Sequence, residues 1–314
     1  MIEHYVTLFD SLFLPQGLAL HLSMERHIKT YTLWILCVDD ETYEVLQKLS
    51  LHNVRLLQLS KLETEELLRV KSGRSKGEYC WTLTSFSPRF VFEHDQRVER
   101  VTYIDADLWF RKNPAAIFRE FEASGKYVLI TDHAYAPEYD QSATSGQFCV
   151  QFMIFNRDGG EVVRKWWEER CVEWCYARFE DGKFGDQKYL DDWPERFADS
   201  VYVLQQKELM QAPWNAIRYP YGQCAAYHFH GLRLLEKGKV LLAPNYPLPK
   251  VLIDNVYKVY LKDFSYAVRS LQQNGFTVQE QRQTPGLLSW INTMLRLPYR
   301  NLWQLWVNRV LILP

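Results

Sequence analysis

The chain has 314 residues, 47% of them hydrophobic and 24% charged, with only 14 Gly and 13 Pro; this is a globular composition and excludes disordered and fibrous classes. Lys and Arg number 37 against 38 Asp and Glu, so the chain lacks the positive excess that non-specific nucleic-acid binding needs, and no nucleic-acid partner is expected. No apolar run approaches the ~18 residues of a membrane span, and Met1-Ile2-Glu3-His4-Tyr5 has no basic region followed by an apolar one, so neither span nor signal peptide is expected.

In chain order, the β-rich runs His4 to Phe9 and Tyr31 to Val38 flank a helical pattern from Pro15 to Ile28 that carries Leu18, Leu22 and Met24, which reads as a βαβ start. Helices are then predicted over Asp40 to Leu49 and Leu62 to Val70, with strands at Asn53 to Leu57 and Val101 to Ile104. A short helix after Asn113-Pro114, running through Phe121, leads to a strand at Tyr127 to Thr131. A further strand spans Cys149 to Phe155, and a Trp-rich helix spans Glu161 to Phe179. From 181 to 260 only short strands stand out, at Val201 to Leu204 and Val240 to Leu242. Such alternation predicts an α/β fold, a mostly parallel sheet with helices on both faces.

Six cysteines (Cys37, Cys80, Cys149, Cys171, Cys175, Cys224) are too sparse for a disulfide scaffold, so reduced thiols and a cytoplasmic location are expected. Cys171 and Cys175, one helical turn apart among Trp166, Trp167 and Trp174, read as core rather than as a zinc site.

The most informative stretch is Tyr103-Ile104-Asp105-Ala106-Asp107, where two carboxylates follow an apolar strand. Open α/β sheets bind ligands at the carboxyl ends of their strands. Two hard oxygen ligands so placed suit Mg²⁺ or Mn²⁺, which bridges the phosphates of a nucleotide diphosphate. Taken alone, Asp-x-Asp is also compatible with a solvated acidic turn.

With its surroundings, the stretch resembles the Asp-x-Asp motif of GT-A nucleotide-sugar glycosyltransferases, and most closely their retaining group of glycogenin, the lipopolysaccharide galactosyltransferases and bacterial relatives. Asp10 followed by Leu14-Pro15-Gln16-Gly17-Leu18-Ala19 is similar to that group's nucleotide-contacting first loop. Gly185-Asp186-Gln187-Lys188-Tyr189-Leu190 resembles its Gly-Asp-Gln-x-x-Leu, and His228-Phe229-His230-Gly231 its His-Phe-x-Gly. The likeness covers roughly residues 1 to 245. Two departures stand out: Leu232-Arg233-Leu234-Leu235-Glu236-Lys237 replaces the family's Lys-Pro-Trp, and Cys149-Val150-Gln151 replaces its Asn-x-Gly.

The resemblance implies a GT-A fold over 1–283 and transfer of a hexose from a nucleotide diphosphate sugar, a UDP-sugar above all, to a glycan or lipid-linked acceptor with retention of configuration. It implies a cation on Asp107 and His228, with Asp105 engaged with the ribose or a metal-bound water. His228 and His230 alternate along one strand, so only one faces the cleft, and the motif selects His228. Thr7, Phe9 and Asp10 fall to the nucleotide, while Arg89, Arg233 and Lys237 are candidates for the diphosphate. Asp186 and Gln187 are the candidate catalytic pair, and Asp186 also suits the cap of a helix from Gln187 to Asp192, a role that does not exclude sugar contact. Trp81 reads as core packing in preference to sugar stacking.

Two rival functions remain open at this level: a sugar-phosphate nucleotidyltransferase and a non-catalytic sugar-binding protein. The first calls for a Gly-rich basic loop after the first strand, which Phe9 to Gly17 lacks. Beyond Thr284-Pro285-Gly286 the composition changes: residues 286–314 carry Arg296, Arg300 and Arg309 with no acid. Leu287, Leu288, Ile291 and Leu295 follow helical spacing, so 284–314 reads as an amphipathic tail that either lies peripherally on a membrane or docks on the catalytic domain.

Overall fold

The computed structural model describes residues 2–219, 224–280 and 310–314. Strand β1 (Glu3–Phe9), helix α1 (Leu14–His27) and strand β2 (Tyr31–Cys37) form the βαβ unit expected from the sequence. Next come α2 (Asp40–Leu49), β3 (Val54–Gln58), α3 (Glu65–Lys71), α4 (Lys76–His94), β4 (Arg100–Ile104) and β5 (Leu108–Phe110). The middle of the chain contributes α5 (Ala115–Ser124), β6 (Val128–Asp132), α6 (Ser142–Ser145), β7 (Phe148–Asn156), α7 (Arg157–Glu173), α8 (Trp193–Arg196) and β8 (Val201–Val203). Last are β9 (Met210–Gln211), β10 (Ala226–His228), β11 (Arg233–Leu235), β12 (Lys239–Leu241), α9 (Lys250–Leu252), α10 (Lys258–Gln273) and β13 (Val310–Ile312).

Seven strands form one sheet in the order β3-β2-β1-β4-β7-β6-β8, and only β7 runs against its neighbours. The fold is therefore α/β with a mostly parallel sheet. Buried strands explain the near-continuous apolar runs in the sequence, because helices cover both faces. Along β1, Tyr5 and Phe9 join one core with Leu18 of α1, Val45 of α2, Phe121 of α5 and Leu271 of α10. Val6 and Leu8 point the other way, into a core with Leu67 of α3, Phe86 and Phe90 of α4 and Trp167 of α7.

The Trp-rich helix ends at Glu173, short of the Phe179 that its composition suggested. Trp174 is extended (φ −154°, ψ 123°), and the Ala177 N–H donates to Glu78 Oε1 at 2.8 Å. The chain leaves the helix there to cross the start of α4. Cys171 and Cys175 are fully buried, as their tryptophan-rich surroundings suggested.

The described residues form two further small sheets, β5-β10-β9 and β11-β12-β13. Of the predicted tail, 284–309 lies outside the described residues. Its end is a strand: Val310–Ile312 pairs antiparallel with β12, and the Pro314 carbonyl accepts from Ser265 Oγ (2.7 Å) and Arg269 Nη1 (3.0 Å) on α10. Among the described residues no helix is long and apolar enough to cross a membrane.

Candidate active site

All five residues of β4 are buried, and the chain turns at its carboxyl end through Asp105, Ala106 and Asp107 into β5. Strand β10 pairs antiparallel with β5 in a register that sets His228 opposite Leu108. The Phe229 N–H donates to the Asp107 carbonyl at 2.9 Å, which locks the two segments together. These backbone bonds bring the three predicted metal residues to one point. His228 Nε2 lies 2.9 Å from Asp107 Oδ1 and 3.6 Å from Asp105 Oδ2. One ligand atom from each of the three lies within 4.8 Å of the other two.

The electrostatics follow from crowding. Burial raises the Asp105 carboxyl above its ordinary range and outweighs the pull of His228, and the Asp107 carboxylate adds to the rise. Burial also opposes ionisation of Asp107, yet the charge and hydrogen bond of His228 hold it below its usual value. His228 itself is raised despite burial, chiefly by Asp107. Two carboxylate oxygens and one imidazole nitrogen at this spacing fit Mn²⁺ or Mg²⁺, whose charge would offset the clustered acids.

Asp186 adds a third acid. It is 3% exposed, its Oδ2 has no hydrogen-bond partner among the described residues, and burial together with the nearby Asp105 charge pushes its pKa up to about 8. Helix capping is not its role: the 3₁₀ turn Lys188–Asp192 is flanked by Gln187 and has no side-chain cap. Gly185 precedes it at φ +53°, and a Cβ there would lie 3.2 Å from Trp81 Cε3. Trp81 is half-buried against Phe184 and Gly185 at this edge of the fold. Gln187 Nε2 donates to the Ser145 carbonyl at 2.8 Å.

At the carboxyl end of β1, Asp10 accepts from the Leu12 N–H (3.1 Å) and pairs with Lys76 Nζ (2.7 Å). Thr7 is buried, and its hydroxyl has no partner among the described residues. The Phe9 ring packs under Gly17, where a Cβ would approach it to 2.4 Å. That close approach explains the glycine.

The three basic candidates are spread out. Arg89 bonds Glu93 (2.7 Å) and faces Glu168 on α7 (3.5 Å). It lies beyond Thr84, the residue of α4 whose hydroxyl reaches Tyr103 beside the Asp-x-Asp turn. Arg233, at the start of β11, lies over the Phe13 ring at 5.3 Å, and its charge reaches Asp107. Lys237 is exposed at φ +62° in the β11–β12 turn. His230 is exposed and stays out of the cluster that His228 joins.

Several residues that support the site were not singled out from the sequence. Tyr103 Oη donates to Asp105 Oδ1 at 2.9 Å and lies 3.4 Å from Thr84 Oγ1. Gln151 Oε1 accepts from His228 Nδ1 at 2.9 Å. Trp214 packs edge-on against His228 at 5.4 Å. Tyr103 stood inside the strand already under scrutiny, and Gln151 stood where the family pattern broke off. Trp214 had no signal.

No protein-family profile matches the chain. It is 33% identical over 249 residues to the uncharacterized protein YfnF of Bacillus subtilis (strain 168), covering 77% of this chain and 80% of that one. To YfnD of the same organism, also uncharacterized, it is 29% identical over 291 residues, covering 86% and 91%. Among solved structures, galactosyltransferase LgtC in complex with donor and acceptor sugar analogs superposes with a TM-score of 0.53 at 12% identity, covering 92% of this chain and 99% of LgtC. The fold is thus the GT-A-like fold of glycosyltransferases.

Proposed function

The chain belongs to the family of Bacillus subtilis YfnF, and from that premise, its fold and its acidic site we propose that it is a divalent-metal-dependent glycosyltransferase. It moves a hexose from a nucleotide diphosphate sugar, UDP-linked by resemblance, to a glycan or lipid-linked acceptor. The observation that carries this reading is the convergence of Asp105, Asp107 and His228 at the carboxyl edge of β4. A cation held there, Mn²⁺ or Mg²⁺, would offset the charge that develops on the departing diphosphate. Arg233, whose field already reaches Asp107, is the basic side chain best placed to assist, while Asp10 at the end of β1 serves the nucleotide.

Retention of configuration is the finer part of the reading. The protonated Asp186 carboxyl can donate to a sugar hydroxyl from a water-poor position. Gln187, its amide nitrogen committed to Ser145, keeps an amide oxygen for the anomeric centre. A nucleotidyltransferase is less well supported, because Ser11–Phe13 and the Pro15-bearing start of α1 occupy the place of a glycine-rich phosphate loop. Proton NMR of the first product formed from an α-linked donor tests the assignment: an α-glycoside is expected, and a β-glycoside contradicts it.

A further inference from the structure

Gln151 on β7 touches both halves of the candidate cation site. Its main-chain carbonyl accepts the Asp105 N–H at 3.1 Å, at the start of the Asp-x-Asp turn. Its side-chain oxygen lies 2.9 Å from Nδ1 of His228. The residue is 0% exposed, and among the described residues its Nε2 has no partner and the contact with His228 is the one hydrogen bond that fixes its amide.

An imidazole can bind a cation through Nε2 only if that atom carries a lone pair, so a neutral ring must keep its proton on Nδ1. A carboxamide oxygen facing Nδ1 accepts that proton's hydrogen bond and selects this tautomer. The opposite amide orientation would place an N–H₂ against Nδ1, force the ring proton onto Nε2 and close the site. We propose that Gln151 is a positioning residue of the cation site: its side-chain oxygen holds the His228 proton on Nδ1 and presents Nε2, while its carbonyl anchors Asp105. The inference rests on the cation reading given above. It concerns a residue at which this chain departs from the family pattern it resembles.

Calorimetric titration with Mn²⁺ alone, on the wild type and on Gln151→Glu, Gln151→Leu and Gln151→Asn, separates this role from packing. Gln151→Glu keeps an acceptor opposite Nδ1 and should bind Mn²⁺ as tightly as the wild type or more so. Gln151→Leu, of similar volume, and Gln151→Asn, one methylene short, should each bind roughly 10–100-fold more weakly. Nitrogen-15 NMR of the Mg²⁺-loaded wild type should show His228 protonated at Nδ1 and not at Nε2, a readout that needs no variant. Wild-type affinity in both Gln151→Leu and Gln151→Asn, or an Nε2-protonated ring, overturns the inference alone. Failure of the wild type to take up Mn²⁺ contradicts the cation site and the inference together.

Discussion

His228 Nε2 and Asp107 Oδ1 lie 2.9 Å apart because the three-residue strand β10 pairs with β5, the strand that follows the Asp-x-Asp turn. A short antiparallel ladder thus joins a motif near residue 105 to one near residue 228. Cis ligands of one octahedral cation lie roughly 3 Å apart, so the two atoms stand at a spacing from which both could ligate.

Competition between protons and the cation sets a pH dependence for Mn²⁺ uptake. His228 holds its proton more strongly than usual and must give it up to ligate, and the neighbouring Asp105, raised to about 6, takes one up as the medium is acidified. Affinity should therefore fall as the medium is acidified from neutrality, with proton release on binding. Calorimetry in buffers of different ionisation enthalpy measures that release directly, and a pH-independent affinity would contradict the proton competition.

Asp186 makes the opposite kind of statement, about stability. Its pKa is about 8 in the folded chain against 3.8 for an ordinary aspartate carboxyl, so between those values the folded state binds the extra proton. Stability contributed by this group is present at low pH and lost as pH rises toward about 8. Asp186→Asn should flatten the decline in Tm between about pH 5 and pH 8 while reducing turnover. An unchanged slope would show that the acid is ionised in the folded protein.

Asp39 works in the reverse sense. Burial alone would raise it, but hydrogen bonds from Thr42 and Ser11 and from Lys76 hold it at about 2. Its contribution is complete above about pH 4 and disappears as pH falls toward 2. Asp39 also caps α2 through the Thr42 N–H at 2.9 Å. Asp39→Ala should cost about 1 kcal/mol at neutral pH. Urea unfolding at pH 7 and pH 2.5 should show a larger loss at the higher pH.

Gly185→Ala tests the turn before Asp186. A side chain at φ +53° costs roughly 1–2 kcal/mol, and the new Cβ would press on Trp81 at 3.2 Å. Lower thermal stability together with altered tryptophan fluorescence is expected. A variant as stable and as active as the wild type would mean that this turn does not set the position of Asp186.

The sheet was legible because its strands are buried on both faces and read as unbroken apolar runs. Helix α4 was not legible as a span, since its buried face carries Thr82, Thr84, Ser85 and Ser87, which interrupt the hydrophobic period. Each of those hydroxyls donates to a carbonyl three or four residues back, at 2.8–3.2 Å, so burial leaves none unsatisfied. Asp105, Asp107 and His228 could be named from motif and order. Their partners Tyr103, Gln151 and Trp214 could not, because hydrogen bonding between β4, β7 and β10 depends on register, which composition does not encode. The end of α7 was misplaced for a similar reason: Glu78, remote in sequence, draws the chain away at Ala177.

Asp107 and His228 are the residues proposed to hold a cation that would offset the diphosphate charge as a nucleotide sugar is cleaved. A panel of nucleotide sugars, assayed for hydrolysis with Mn²⁺ and with chelator, tests that assignment most directly in the wild type, Asp107→Ala and His228→Ala. At least one donor should be hydrolysed by the wild type only when metal is present, and both variants should lose roughly a hundredfold or more, given the several kcal/mol such a cation supplies. Hydrolysis that persists in chelator, or variants that turn over at the wild-type rate, would contradict the account.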